Sequence, residues 1–183
     1  NTCIQLIFID DAVAPMITCP ADITIECTES TLLANTGMAA ATDDCDGSPV
    51  ISFTDSFTPS TACALEYSIN RVWVATDACG NSSSCLQVIT VQDNTPPSLT
   101  CPPNITIECT DSTEPGNTGM ASASDSCDSA PQVTYSDVIV DGSCPQSYVI
   151  NRTWTASDSC NNTSTCVQVI TVVDTQAPEV VPG

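Results

Sequence analysis

Cysteine and aspartate are the residues through which this chain can do chemistry, and the cysteines fall on a ruler. Of thirteen, Cys19, Cys27, Cys45, Cys63, Cys79 and Cys85 recur as Cys101, Cys109, Cys127, Cys144, Cys160 and Cys166, displaced by 82 residues for the first three and 81 for the rest. Sulfur at regular spacing serves disulfides, a metal cluster or a redox pair. The chain has no CxxC and no His, and its intervals of 8, 18, 18, 16 and 6 residues match neither zinc nor redox signatures. Structural disulfides are the reading that remains. They place the chain in an oxidising setting: secreted, on the cell surface, or in a periplasm.

The aspartates gather at the ends of the repeated unit. Its last segment closes in IDDAVAP, VQDNTPP and VVDTQAP, so Asp11, Asp93 and Asp174 are equivalent positions in Pro-stiffened linkers. Loops of the following unit bring further carboxylates. The candidate Ca²⁺ sets are Asp10, Asp11, Asp43, Asp44, Asp46 and Asp77, and Asp93, Asp125, Asp128 and Asp158. Ca²⁺ fits such a set because it takes six to eight oxygens in irregular geometry. A solvated acidic surface explains the same residues without an ion, no EF-hand loop is present, and no other cofactor is required.

The remaining composition excludes several functions. Net charge is −20, from 22 acids against two arginines and no lysine. Nothing neutralises phosphate, so nucleic acid is not a partner, and an anionic membrane is not attracted. No run of 18 apolar residues spans a bilayer. Without His, Lys, GxSxG or a phosphate loop the chain does not read as an enzyme. Paired acids alone serve glycosidases, but these sit in small loops with no second domain to form a cleft.

Short β-branched runs must position these groups. ITIEC at 23–27 and 105–109, PVISFTDS at 49–56 and PQVTYSDV at 131–138 have period two and are bounded by Pro, Asp, Gly and Ser. YSINRVWVATDAC repeats as YVINRTWTASDSC, and the GNSSS and NNTST turns lead into CLQVITVQD and CVQVITVVD. In the second copy Tyr148, Ile150, Arg152, Trp154 and Ala156 share one face, which is inward because the other face is mostly polar. The fold class is all-β: tandem immunoglobulin-like antiparallel β-sandwiches, disulfide-rich. Aromatics are only 4% of residues, so each small core needs its cross-links.

The units are expected at 12–93 and 94–174, with 1–11 the last strand of a preceding repeat and 175–183 a linker into a following one. NTCIQLIFIDD aligns with SSCLQVITVQD, which leaves Cys3 to a preceding repeat or another chain. With the first strand running from one end of the sandwich to the other, cysteines at like ends pair as Cys19–Cys85, Cys27–Cys63 and Cys45–Cys79. The second unit follows with Cys101–Cys166, Cys109–Cys144 and Cys127–Cys160. A Cys79–Cys85 link across the GNSSS turn is the rival. Arg71 and Arg152 precede Trp73 and Trp154 by two residues, so guanidinium and indole share a face. The expectation is a structural Arg stacked on the indole and paired with a carboxylate such as Glu26 or Glu108; a ligand-binding Arg is the alternative.

Asn-x-Ser/Thr sequons stand at Asn81, Asn104, Asn151, Asn161 and Asn162. DST at 111–113 and DSA at 128–130 look like a short O-glycosylation motif of Bacteroidota.

The pattern D-x-x-x-P-x-[IL]-x-C-P-x-[DN]-I-T-I-E-C, followed by A-[TS]-D-x-C-[GN]-N-x-[ST]-x-C-x-Q-V-I-T-V-x-D, covers nearly the whole chain. It resembles the HYR-type immunoglobulin-like repeats, in particular the Cys-rich repeats of giant Bacteroidota surface adhesins such as the SprB-type gliding adhesins and similar type IX secretion substrates. Its anchors are Cys19, Pro20, Trp73, Ala75, Asp77, Gly80, Asn81, Cys85 and Asp93 with their counterparts. The second unit departs at Asn161, where that family has Gly. The resemblance implies an extracellular stalk for attachment or surface motility, with neighbouring repeats or identical chains as partners. The competing readings are a self-assembling filament subunit completed by a strand from a neighbouring chain, and a module binding carbohydrate or another surface ligand.

Overall fold

The computed structural model describes residues 3–6, 10–143 and 146–177. The chain divides into two units, 1–93 and 94–183. Unit 1 is built from β1 (Met16–Thr18), β2 (Ile23–Glu26), a single helical turn α1 (Leu33–Thr36), β3 (Ala40–Thr42), β4 (Val50–Pro59), β5 (Tyr67–Thr76) and β6 (Ser82–Gln92). Unit 2 repeats it as β7 (Ser98–Thr100), β8 (Ile105–Glu108), α2 (Pro115–Thr118), β9 (Ser122–Ser124), β10 (Gln132–Asp141), β11 (Tyr148–Ser157) and β12 (Thr163–Val173). Each unit is an immunoglobulin-like β-sandwich. A four-stranded sheet, ordered β2-β6-β5-β4 or β8-β12-β11-β10, is faced by a two-stranded one, β1-β3 or β7-β9. Cys3 to Leu6 and Asp10 carry no secondary structure, and residues 7–9 of the expected end strand lie outside the described residues.

Period-two side chains put the core where the sequence points. Along β5 and β11 the buried positions alternate, with Ile69, Arg71, Trp73 and Ala75, and Ile150, Arg152, Trp154 and Ala156, facing in. Ile25, Ile69, Ile89 and Val91 form one apolar cluster, and Ile107, Ile150, Ile170 and Val172 its counterpart. Burying one such side chain stabilises by roughly 1.5–3 kcal/mol.

Two features of the topology are not in the strand pattern. The first strand is not continuous: it pairs with β3 as far as Thr18, crosses Cys19 and Pro20, and resumes as β2 in the other sheet. Proline, having no N–H, cannot extend the first ladder. Having changed sheets, β2 runs parallel to β6, with Ile23 beside Ile89 and Glu26 beside Gln92, so the larger sheet is mixed. In unit 2, β8 runs parallel to β12.

Cys19 is bonded to Cys85 and Cys101 to Cys166, with Cα atoms 5.9 and 6.0 Å apart. Cys27, Cys63, Cys127 and Cys160 are disulfide-bonded as well. The structure departs from the expected set at Cys45 and Cys79, which are exposed free thiols. Asp11 foremost, then burial, Asp43, Asp44 and the Cys79 thiol push the Cys45 thiol above its usual range. In unit 2 the equivalent cysteines, Cys127 and Cys160, are each disulfide-bonded. Cys3 is also free, as is Cys109, whose Sγ lies 3.6 Å from Gln146 Oε1; its expected partner Cys144 lies outside the described residues.

Candidate functional site

The two arginines nucleate a buried polar network that reaches across each sandwich. Arg71 Nε donates to Asp55 Oδ1 at 2.8 Å and Nη2 to Asp55 Oδ2 at 2.9 Å, a bidentate pair. Arg152 holds Asp137 in the same way, at 2.8 Å twice. The expected partners Glu26 and Glu108 are not used. Asp55 and Asp137 stand directly opposite the arginines in the β4–β5 and β10–β11 ladders, whereas Glu26 and Glu108 pair on strands beyond β6 and β12. Nor is the indole the nearest ring. The guanidinium carbon lies 4.7 Å from the Phe53 centroid and 6.0 Å from that of Trp73; in unit 2 Tyr135 is at 4.4 Å and Trp154 at 5.9 Å.

From the guanidinium the network passes to the helical turn and then to the last strand. Arg71 Nη1 donates to Thr36 Oγ1 at 2.8 Å, and Thr36 O accepts from Gln87 Nε2 at 2.6 Å. That amide also donates to Ala21 O at 3.1 Å and accepts the Trp73 indole N–H at 3.3 Å. Gln168 repeats this with Thr118 O, Pro103 O and Trp154. Both glutamines are completely buried. Sequence reasoning missed them, although a glutamine in phase with Cys85, Ile89 and Val91 on the inner face was the available signal.

The geometry of α1 explains a required glycine. Gly37 closes the turn at φ +90, and a Cβ there would lie 3.1 Å from Pro20 Cβ; Gly119 faces Pro102 in the same way. By contrast Asn161, where the resembled family has Gly, holds φ +70. Asparagine is among the few non-glycine residues that adopt this region readily.

The acidic loops gather in part. In unit 1 the structure brings Asp11, Asp43 and Asp77 together, one ligand oxygen of each within 4.8 Å of the others. Asp77 is buried; its Oδ1 accepts the backbone N–H of Cys79 and Asn81, and its Oδ2 the Asn81 amide at 2.8 Å. Burial works against ionisation, but the Asn81, Cys79 and Gly80 hydrogen bonds outweigh it and hold the Asp77 carboxyl below its usual value. The Asn81 amide also donates to Asp11 O at 2.9 Å, tying linker to loop. Hydrogen bonds to Asp11 and Asp43 fall on Oδ1 of each, from Val13 and from Cys45 and Asp46.

The other expected acids stand elsewhere. Asp10 and Asp44 are exposed and outside this trio. Asp46 instead clamps two loops, accepting Ser48 N and Ala78 N. Asp128 does the same in unit 2, with Ala130 N, Ser159 N and Ser159 Oγ. Ser159 and Ala130 together outweigh burial and hold the Asp128 carboxyl below its usual value. Asp125 and Asp158 make the hydrogen bonds of Asp43 and Asp77, and Asp93, at the end of unit 1, is buried. Of the sequons, Asn81 and Asn162 have their amides committed to Asp77 and Asp158.

No family model and no curated protein matches the chain. Among solved structures it is similar to Drosophila N-cadherin EC1-4, at 14% identity and a TM-score of 0.40, covering 88% of this chain and 50% of that one. It is also similar to protocadherin gamma C5 EC1-3, at 14% identity and a TM-score of 0.33, covering 87% of this chain and 67% of that one. The chain thus spans half the length of the first of these structures and two thirds of the second.

Proposed function

We propose that this chain is a non-enzymatic structural tract of a long extracellular adhesin or surface filament, used for attachment or surface motility. The observation that carries the reading is repetition of the interior. One disulfide, one Arg–Asp pair and one Trp–Gln pin recur at the same places in both units. A unit that repeats its interior in this way suits spacing and stiffness better than recognition. The high negative charge keeps neighbouring filaments apart. Neighbouring repeats, or identical chains, are the partners.

In this reading Ca²⁺ stiffens the linker of unit 1 through Asp11, Asp43 and Asp77, whose gathered carboxylates support it. The disulfides keep each unit folded outside the cell. Antibody raised against the chain tests the proposal on intact source cells and in a denaturing gel. Surface labelling with a band of hundreds of kilodaltons is expected. An intracellular signal would overturn it, and a surface band near 19 kDa would replace the array with assembled subunits.

A further inference from the structure

Two disulfides, one in each unit, join the segment that enters the unit to the strand that leaves it. Cys19 directly follows β1, and Cys85 lies in β6, which runs on to Gln92 and the end of unit 1. The bond therefore spans the entrance and exit of the unit and closes off a loop with a sequence separation of 66. Cys101, just after β7, and Cys166, in β12, do the same with a separation of 65.

We propose that tension along the chain runs through a short covalent path, β1–Cys19–Cys85–β6 and then β7–Cys101–Cys166–β12, leaving the other strands of each unit outside the load. That the chain bears tension at all rests on the filament reading; the path itself rests on connectivity alone. The path has little slack. A strand already rises about 3.3 Å per residue, against a limit of roughly 3.3–3.6 Å for a fully extended chain. Tension therefore straightens β1 and β6 by a few tenths of an ångström per residue and finds no loop to draw out.

A second barrier stands behind the first. With the disulfide cut, load entering past β1 reaches β2, which is parallel to β6 over Ile23–Ile89, Thr24–Thr90, Ile25–Val91 and Glu26–Gln92. The two ends then pull these neighbours along their axes in opposite directions, so the ladder is sheared as a whole and not opened bond by bond. β8 and β12 give unit 2 the same arrangement.

The test is single-molecule stretching of the intact chain, held by its two ends, before and after reductant. Each closed loop hides about 230 Å at ~3.5 Å per residue. The oxidised chain should yield no step of that size, and the reduced chain two steps, each larger than 230 Å and each at a distinct rupture force. Cys85→Ser should release one unit and leave the other locked. Cys166→Ser provides the converse, should the first variant not fold. Full-length steps from the oxidised chain, or identical traces before and after reductant, would overturn the proposal. Either outcome leaves the cell-surface test of the filament reading untouched.

Discussion

Replacing Gln87 by Leu is the sharpest test of how each unit is held together. The substitution nearly conserves volume but strands two buried groups, the Trp73 indole N–H and the carbonyl of Thr36, and releases the carbonyl of the exposed Ala21 to solvent. Each stranded group costs about 1–3 kcal/mol, while the added apolar surface returns about 1–2 kcal/mol. The net loss is about 3 kcal/mol, and a unit of this size loses ~4–8 °C of Tm per kcal/mol. The unit 1 transition should therefore fall by roughly 12–24 °C. Unit 2, with Gln168 and Trp154 intact, is the built-in control, so calorimetry should resolve two transitions where the parent's lie close together. Adding Trp73→Phe, which removes one of the stranded donors, should cost less than the sum of the two single changes by about 1 kcal/mol. A Tm within ~2 °C of the parent would refute the pin, because the glutamine would then be replaceable filler.

Three further outcomes are expected. If Asp11, Asp43 and Asp77 hold Ca²⁺, millimolar calcium should raise the melting temperature relative to chelator, and Asp43→Asn should abolish the difference; equal midpoints in the parent would remove the ion from the proposal. Native alkylation should label Cys3, Cys45 and Cys79 and spare Cys19, Cys85, Cys101 and Cys166. Because its pKa is raised, Cys45 should react more slowly than an unstructured model thiol at neutral pH and catch up as pH rises, which mass spectrometry of the peptides reads directly. The Asp77 and Asp128 carboxyls lie below their usual value, so their stabilisation is fully present above about pH 4 and is lost as pH falls through the folded pKa. Urea midpoints should accordingly fall on acidification below about pH 4, less steeply in Asp128→Asn.

Much of the fold was legible because period two is a local signal. The face of Tyr148, Ile150, Arg152, Trp154 and Ala156 could be assigned from the polarity of its opposite face, and the burial along β11 alternates in that phase. The repeated cysteine ruler exposed the doubling of the unit. The partner of each arginine was not legible in this way. Asp55 is 16 residues from Arg71, and nothing in the spacing ranks it above Glu26 until register sets it directly opposite. The buried glutamines escaped for a related reason: a polar residue on an inner face is informative only once its partners, in the α1 turn and on the neighbouring strand, are known.

By itself, then, the sequence determined the all-β class, the doubled unit and the inward faces, since each follows from residue type at short or repeated spacing. Tertiary structure alone decided that the first strand changes sheets at Pro20, that β2 lies parallel to β6, and that Arg71 takes Asp55. It also decided that Asp11, Asp43 and Asp77 converge, and that Cys45 and Cys79 are free thiols. The reason is physical: strand period fixes the side to which a residue points, whereas what it meets there depends on register and chain crossing, which the whole unit settles together.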